Sequence, residues 1–215
     1  MDEKTFECLV MDWNMFYGLA KKVAEKINES GYQPNVIVGL ARGGWVLARV
    51  LCDFVGVKDL VSLKVEHWGV TATPDGTAKI KNEIHMDLKG KNVLVVDDLT
   101  DTGESMCIAV DYIKSLKPAQ IRTASLQHIT GAKFKSDYIG EEISWVWVIF
   151  PWNFTEDLCT IVPKVCRRIQ ANFESADATQ IKDELKQSYC IDTNEETICE
   201  ILQEIKRRNN EKSES

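Results

Sequence analysis

The stretch Val93-Leu94-Val95-Val96-Asp97-Asp98-Leu99-Thr100-Asp101-Thr102-Gly103-Glu104-Ser105 decides how the rest of the chain is read. An apolar, β-branched run meets two adjacent acids, then a hydroxyl-rich turn with a glycine opens a segment of helical spacing. Adjacent carboxylates cannot lie unpaired in a core, so Asp97 and Asp98 belong at the open carboxyl edge of a sheet, where ligands bind in open α/β folds. Thr100, Thr102 and Ser105 supply hydroxyls, Gly103 permits close backbone approach, and the amides of a first helical turn suit a phosphate dianion. The two aspartates suit a sugar diol or a magnesium ion, and the composite fits a phosphorylated ribose. A strand end followed by an ordinary helix cap would need only a fraction of this pattern.

Working outward, strand and helix signals alternate. Asn14 to Ser30 has helical spacing, and Val36 to Leu40 reads as a buried strand. Trp45 to Phe54 reads as a helix, Leu60 to Val65 as a strand, and Asn92 to Val96 as another. A helix from Glu104 to Leu116, a strand from Ile121 to Leu126 and a strand from Ile143 to Phe150 follow. Such alternation predicts an α/β fold with a parallel sheet and flanking helices. All twelve glycines lie between Gly18 and Gly140, and from Glu156 onward helical patterns dominate, including Ala178 to Gln187 and Asn194 to Arg208. The expected division is residues 1–170 for the α/β domain and 171–215 for an acidic helical C-terminal extension. That extension holds 6 basic and 11 acidic residues, so it carries most of the net charge of -7.

Composition narrows the functional classes. At 44% hydrophobic the chain can bury a core, which excludes a disordered protein. A pI near 5.1 argues against a basic face that coats nucleic acid. The apolar run from Ile143 to Trp152 is about half the length of a membrane span, and the first ten residues carry Asp2, Glu3 and Glu7 instead of an export signal. Seven cysteines without a Cys-x-x-Cys pair are expected to be free thiols, and the chain is expected to be cytoplasmic with no membrane partner. Three histidines lack zinc-ligand spacing. The strand with Asp-Asp has no Gly-x-x-x-x-Gly-Lys-Ser/Thr partner, and Gly-x-Gly-x-x-Gly is absent, so nucleotide-triphosphatase and dinucleotide sites are both excluded.

A second anion site is legible at Leu40-Ala41-Arg42-Gly43-Gly44, which follows one strand and precedes a helix. Backbone amides and a guanidinium can converge there on a diphosphate. The polar stretch from His67 to Lys79 reads as a mobile loop.

The thirteen-residue stretch resembles the ribose-5-phosphate signature of type I phosphoribosyltransferases, and the order of elements from Val36 to Phe150 agrees. The strand ending in Pro151-Trp152 is most like the 6-oxopurine branch, which acts on hypoxanthine, guanine or xanthine. The resemblance implies an Mg²⁺-dependent pentosyltransferase of purine salvage that joins a nucleobase to 5-phosphoribosyl 1-diphosphate and releases pyrophosphate. It implies that Arg42, Gly43 and Gly44 bind pyrophosphate. Asp97, Asp98, Thr100, Asp101, Thr102, Gly103, Glu104 and Ser105 would bind the ribose and 5-phosphate, with Asp98 also touching metal and Asp101 as the catalytic proton acceptor. It assigns Trp152 to stacking on the base and makes the loop from His67 to Lys79 a flap over the reacting centre. One departure stands out: where the branch places a lysine that contacts the purine O6, this chain has His128 or Ile129, and His128 is the candidate donor. A homodimer is the expected assembly. The alternative from another class is a regulatory protein of the same fold that senses phosphoribosyl diphosphate without turning it over.

Overall fold

The computed structural model describes residues 5–67, 78–171 and 176–213, which form two compact units: Asn14–Trp145, and Met1–Trp13 with Val146–Ser215. The larger unit ends at Trp145, and the strands on either side of that point belong to different sheets.

The larger unit begins with α1 (Trp13–Glu29), whose buried stripe of Phe16, Leu19, Ala20, Val23 and Ile27 is the one its spacing predicts. Then come β2 (Val36–Ala41), α2 (Gly43–Val55), β3 (Asp59–His67), β4 (Ala78–Asn82), β5 (Asn92–Thr100), α3 (Glu104–Ser115), β6 (Gln120–Ile129) and β7 (Tyr138–Ile143). β1 (Cys8–Val10) belongs to the other unit. The six strands run in the order β4-β3-β2-β5-β6-β7, all neighbours parallel except the antiparallel pair β3 and β4.

Alternation along the strands sets the faces. Val36, Val38, Val93 and Val95 pack with Met106, Ala109 and Ile113 of α3, whereas Gly39 abuts Ala48 of α2 on the opposite face. Gly140 abuts Val23 of α1 on that same α2 side, since Gly39, Val96, Ala124 and Tyr138 share one row across the sheet. Each fully buried Val or Ile of this layer contributes roughly 1.5–3 kcal/mol.

From β2 the chain steps to β3 on one side and later to β5 on the other. Winding reverses between β2 and β5, which makes their carboxyl ends a topological switch point. Their pairing stops at Gly39 opposite Val96, and beyond it the ends of β2 and β5 frame a crevice.

The smaller unit pairs β1 in parallel with β8 (Trp147–Ile149) and adds α4 (Phe154–Arg168), α5 (Ala178–Tyr189) and α6 (Glu195–Ser213). Leu158, Ile161, Val162, Val165, Ile181, Leu185, Tyr189, Ile198 and Ile201 make its core, so α4 packs with the two terminal helices. Asp177 caps α5 by accepting from the Thr179 amide at 2.9 Å, and the Asn194 side chain accepts from the Thr197 amide at 2.8 Å where α6 begins. The single strand expected over Ile143–Phe150 is thus β7 ending at Ile143 and β8 starting at Trp147. All seven cysteines are free thiols. Among the described residues no helix is long and apolar enough to cross a membrane.

Candidate active site

Two loops meet at the crevice. β5 runs on past the two acids to Thr100, with Val93 to Val96 buried and Asp97 to Leu99 half-buried. Asp97 Oδ1 accepts from the Asp98 amide at 3.0 Å, and Asp98 Oδ1 accepts from the Leu99 amide at 2.9 Å. Burial pushes the Asp97 carboxyl well above the usual carboxylate range, and the charge of Asp98 adds to that. A cation or hydroxyl donors brought to this pair would favour the charged form and so oppose both effects.

After β2, the Ala41–Arg42 peptide is cis, Arg42 is exposed, and α2 starts at Gly43. A Cβ on Gly43 would stand 1.7 Å from Asp98 Oδ2; one on Gly44 would stand 2.6 Å from the Val96 carbonyl oxygen and 2.8 Å from Asp97 Cα. The approach of α2 to the end of β5 therefore leaves no room for a Cβ on Gly44, and room for one on Gly43 only if Asp98 moves, so the loop expected to hold a diphosphate touches the acids expected to hold the ribose.

Beyond β5, Gly103 takes φ +86°, a conformation that favours glycine, and delivers the chain into α3. At the start of α3 the Thr102 hydroxyl accepts from the Glu104 amide at 3.3 Å. A cavity of about 180 Å³ lies here, lined by Asp97 and the run from Leu99 to Met106. A helix start beside a cavity is where the helix dipole suits an anion. Asp101, Thr102 and Glu104 are exposed and Ser105 half-buried, while Thr100 is buried with its hydroxyl 3.5 Å from that of Ser136.

Sequence reasoning missed the support of this turn. A Cβ on Gly103 would lie 2.4 Å from Phe134 Cβ, and the Lys133 amide donates to the Thr102 carbonyl at 3.1 Å. The loop between β6 and β7 thus props the candidate phosphate turn, a long-range contact that local pattern does not signal.

His128 lies in register between Thr100 and Glu142, 4% exposed, and its Nδ1 is buried without a hydrogen-bond partner among the described residues. The expected flap falls mainly on residues 68–77, outside the described residues. Its flanks are corrected from loop to sheet, because β3 continues to His67 and β4 begins at Ala78. Trp152 belongs to the other unit, half-buried, stacked on Phe150 at 4.8 Å and 6° and tilted against Trp13 at 6.0 Å. Trp147 of β8, not singled out in the sequence, is 45% exposed, with its side chain hydrogen-bonded to Asp157. Among the described residues no group of three or more His, Cys, Asp or Glu could by itself hold a metal. The paired carboxylates at the crevice are hard oxygen donors of the type Mg²⁺ takes alongside water and substrate phosphates.

An open sheet with a glycine-arginine loop, an acid pair and a glycine-led helix start at its switch point is the arrangement of an α/β protein whose crevice suits a phosphorylated ligand. Residues 10–157 match the model of the phosphoribosyl transferase domain, and the chain belongs to that family. It is similar to a hypoxanthine-guanine phosphoribosyltransferase of Aquifex aeolicus strain VF5, 34% identical over 133 residues, which are 57% of this chain and 72% of that protein. A xanthine-guanine phosphoribosyltransferase of Cereibacter sphaeroides is 24% identical over 148 residues, 66% of this chain and 85% of that one. Among solved structures, a purine phosphoribosyltransferase from Pyrococcus horikoshii Ot3 superposes with a TM-score of 0.62 at 30% identity, covering 68% of this chain and 93% of that chain.

Proposed function

We propose that the protein is a Mg²⁺-dependent purine phosphoribosyltransferase that transfers the phosphoribosyl group of 5-phosphoribosyl 1-diphosphate to a 6-oxopurine in purine salvage, working in the cytoplasm as a homodimer. The observation that carries this reading is the contact of the Gly43-Gly44 turn with Asp97 and Asp98 beside the cavity at the start of α3. The C–O bond between ribose C1 and the diphosphate breaks, a ring nitrogen of the purine bonds to C1, and pyrophosphate leaves. Charge builds on the ribose as an oxocarbenium and on the departing diphosphate, so a preorganised site stabilises both.

In this reading Arg42 and the amides of Gly43 and Gly44 hold the diphosphate. Asp97 and Asp98 accept from the ribose hydroxyls, and Asp98 would also hold Mg²⁺, which supplies charge neutralisation of the diphosphate when bound. Thr100, Thr102, Gly103, Glu104 and Ser105 surround the 5-phosphate, whose binding energy orients C1. Asp101, exposed at the head of the turn, takes the proton from the purine nitrogen. His128 donates to the purine O6 and Trp152 stacks on the ring, the latter contributing on the order of 1–3 kcal/mol.

The test is pyrophosphate release with phosphoribosyl diphosphate, Mg²⁺ and a panel of hypoxanthine, guanine, xanthine, adenine, uracil and orotate. Release with one or more of the three 6-oxopurines is expected, and release with no base would replace the enzyme reading by that of a sensor. Comparing Trp152→Ala with Trp147→Ala locates the stacking partner, because only that substitution raises KM for the base.

A further inference from the structure

Two tryptophans of the smaller unit, Trp147 and Trp152, are in question as the stacking partner of the base, and one carboxylate lies behind both. Trp147 opens β8 opposite Cys8 of β1, its amide donating to the Glu7 carbonyl at 3.1 Å. Its indole N–H donates to the Asp157 carboxylate, and its ring leans on Phe6 at 5.8 Å and 52°. Phe6 is braced in turn by the ring of Tyr189 from α5 at 5.3 Å and 84°, with the Lys164 ammonium 5.6 Å from its centroid. A tryptophan 45% exposed would ordinarily sample several rotamers. Pinned at its N–H and along one side, this one keeps a single orientation.

Trp152 is reached through its neighbour. The turn from Phe150 closes with the Asn153 amide donating to the Phe150 carbonyl at 3.1 Å, and Asn153 Nδ2 donates to Asp157 Oδ2 at 2.6 Å. Asn153 Oδ1 is buried without a partner among the described residues, so the side chain is held from its nitrogen end. An acid in the first turn of a helix ordinarily faces solvent and the helix dipole, as the exposed Glu156 of α4 does. Asp157 is instead half-buried and turned toward both tryptophan-bearing segments.

We propose that Asp157 is a positioning residue for the base: its carboxylate sets the plane of the Trp147 indole and, through Asn153, the turn that carries Trp152. It acts through these side chains by fixing the aromatic face beforehand, so that less rotamer freedom is lost when a purine binds. The inference rests on the reading of the protein as a purine phosphoribosyltransferase whose base stacks on one of the two tryptophans, and it holds for either.

Asp157→Ala, Asp157→Asn, Trp147→Ala and Trp152→Ala in the full chain test it, read by pyrophosphate release at varied base and varied phosphoribosyl diphosphate. Near-ultraviolet circular dichroism of the same variants reads how firmly the aromatic side chains are packed. Asp157→Ala is expected to raise KM for the base about fivefold or more, the lower end of what a lost base–aromatic stack costs, and to weaken the near-ultraviolet signal. Its kcat and its KM for phosphoribosyl diphosphate should stay within about a factor of two. Asp157→Asn keeps an acceptor for Trp147, and its amide can donate to Asn153 Oδ1 once that side chain turns over, so KM and spectrum should return to the wild-type values. Asp157→Leu, similar in shape and without an acceptor, replaces the alanine variant if that one does not fold. The proposal alone is overturned if a tryptophan variant raises KM for the base and Asp157→Ala does not. A loss shared by both substrates, or an asparagine variant as impaired as the alanine one, also overturns it. If no base is turned over, or neither tryptophan variant changes KM for the base, the stacking reading falls and takes this proposal with it.

Discussion

Gly43→Ala isolates the contact between the two halves of the crevice. The new methyl would stand 1.7 Å from Asp98 Oδ2, 2.4 Å from Cγ and 2.8 Å from Oδ1, whereas real Cβ contacts essentially never fall below 3.0 Å. The carboxylate has to retreat by the difference, about 1.3 Å. Because the clash is with the far end of a side chain, Asp98 can swing away and the fold loses little stability. The cost falls on geometry: a misplacement near 1 Å at a reacting centre lowers rate on the order of 10²-fold, about 2.7 kcal/mol in the barrier. Gly44→Ala behaves in the opposite way, because its methyl meets the Val96 carbonyl and Asp97 Cα, which are backbone, and overpacking of that sort costs about 1–3 kcal/mol of stability. Gly18→Ala is the control, with nothing within 4 Å of its Cβ and a helical position where alanine adds about 0.5–1 kcal/mol. Steady-state pyrophosphate release at varied phosphoribosyl diphosphate, with thermal unfolding of each variant, reads both effects. Gly43→Ala with kcat/KM within a factor of three of wild type would refute the reasoning, since it would mean that the position of Asp98 does not matter to the sugar diphosphate.

Asp101→Asn is expected to lower kcat far more than it weakens binding of phosphoribosyl diphosphate; equal losses in both would remove the proton-acceptor role. Gly103→Ala combines a φ of +86° with a clash on Phe134, so both melting temperature and affinity for the 5-phosphate should fall, and an unchanged melting temperature would contradict the prop described above. In the smaller unit, burial pushes the Asp157 carboxyl from its ordinary 3.8 up to about 6. The folded protein then holds that proton more tightly than the unfolded chain does. The stability this contributes is complete below pH 4 and is lost as pH rises through about 6. The gap corresponds at full weight to about 3 kcal/mol, which the partial exposure of Asp157 reduces to on the order of 1 kcal/mol. Urea midpoints measured between pH 4 and 7 should therefore fall less steeply in Asp157→Asn, and a parallel fall in both proteins would show that another group is responsible.

What was legible in the sequence was local. Pattern placed α1, β2, α2, β5 and α3 within a few residues, because the helices carry their buried side in their spacing and the two central strands begin as unbroken apolar runs buried on both faces. The acid pair and the glycine turn were visible as chemistry, since few folds tolerate Asp-Asp after four buried apolar residues. What escaped depends on pairing between distant segments. β4 is a short edge strand, Ala-Lys-Ile-Lys-Asn, whose polar character is what an unpaired edge calls for and whose partner β3 lies across ten intervening residues. The break between Ile143 and Trp147 is invisible in an apolar run, because either sheet can bury the same residues. Phe134 as the prop of Gly103 has no local signal at all.

Gly43 and Gly44 show the difference most sharply. Their chemistry suggested a cradle for a diphosphate, and any glycine turn after a strand would have done as well for that purpose. The structure adds a constraint that composition cannot express: the turn lies against Asp97 and Asp98, so a side chain on Gly44 meets backbone and one on Gly43 displaces the Asp98 carboxylate. The acids and the turn therefore cannot vary independently. A change that moves Asp98 alters the surface offered to the diphosphate, and one that thickens the turn alters the surface offered to the ribose. This coupling predicts that Gly43→Ala and Asp98→Asn act on one shared element, so that their combined loss of kcat/KM falls short of the sum of the separate losses.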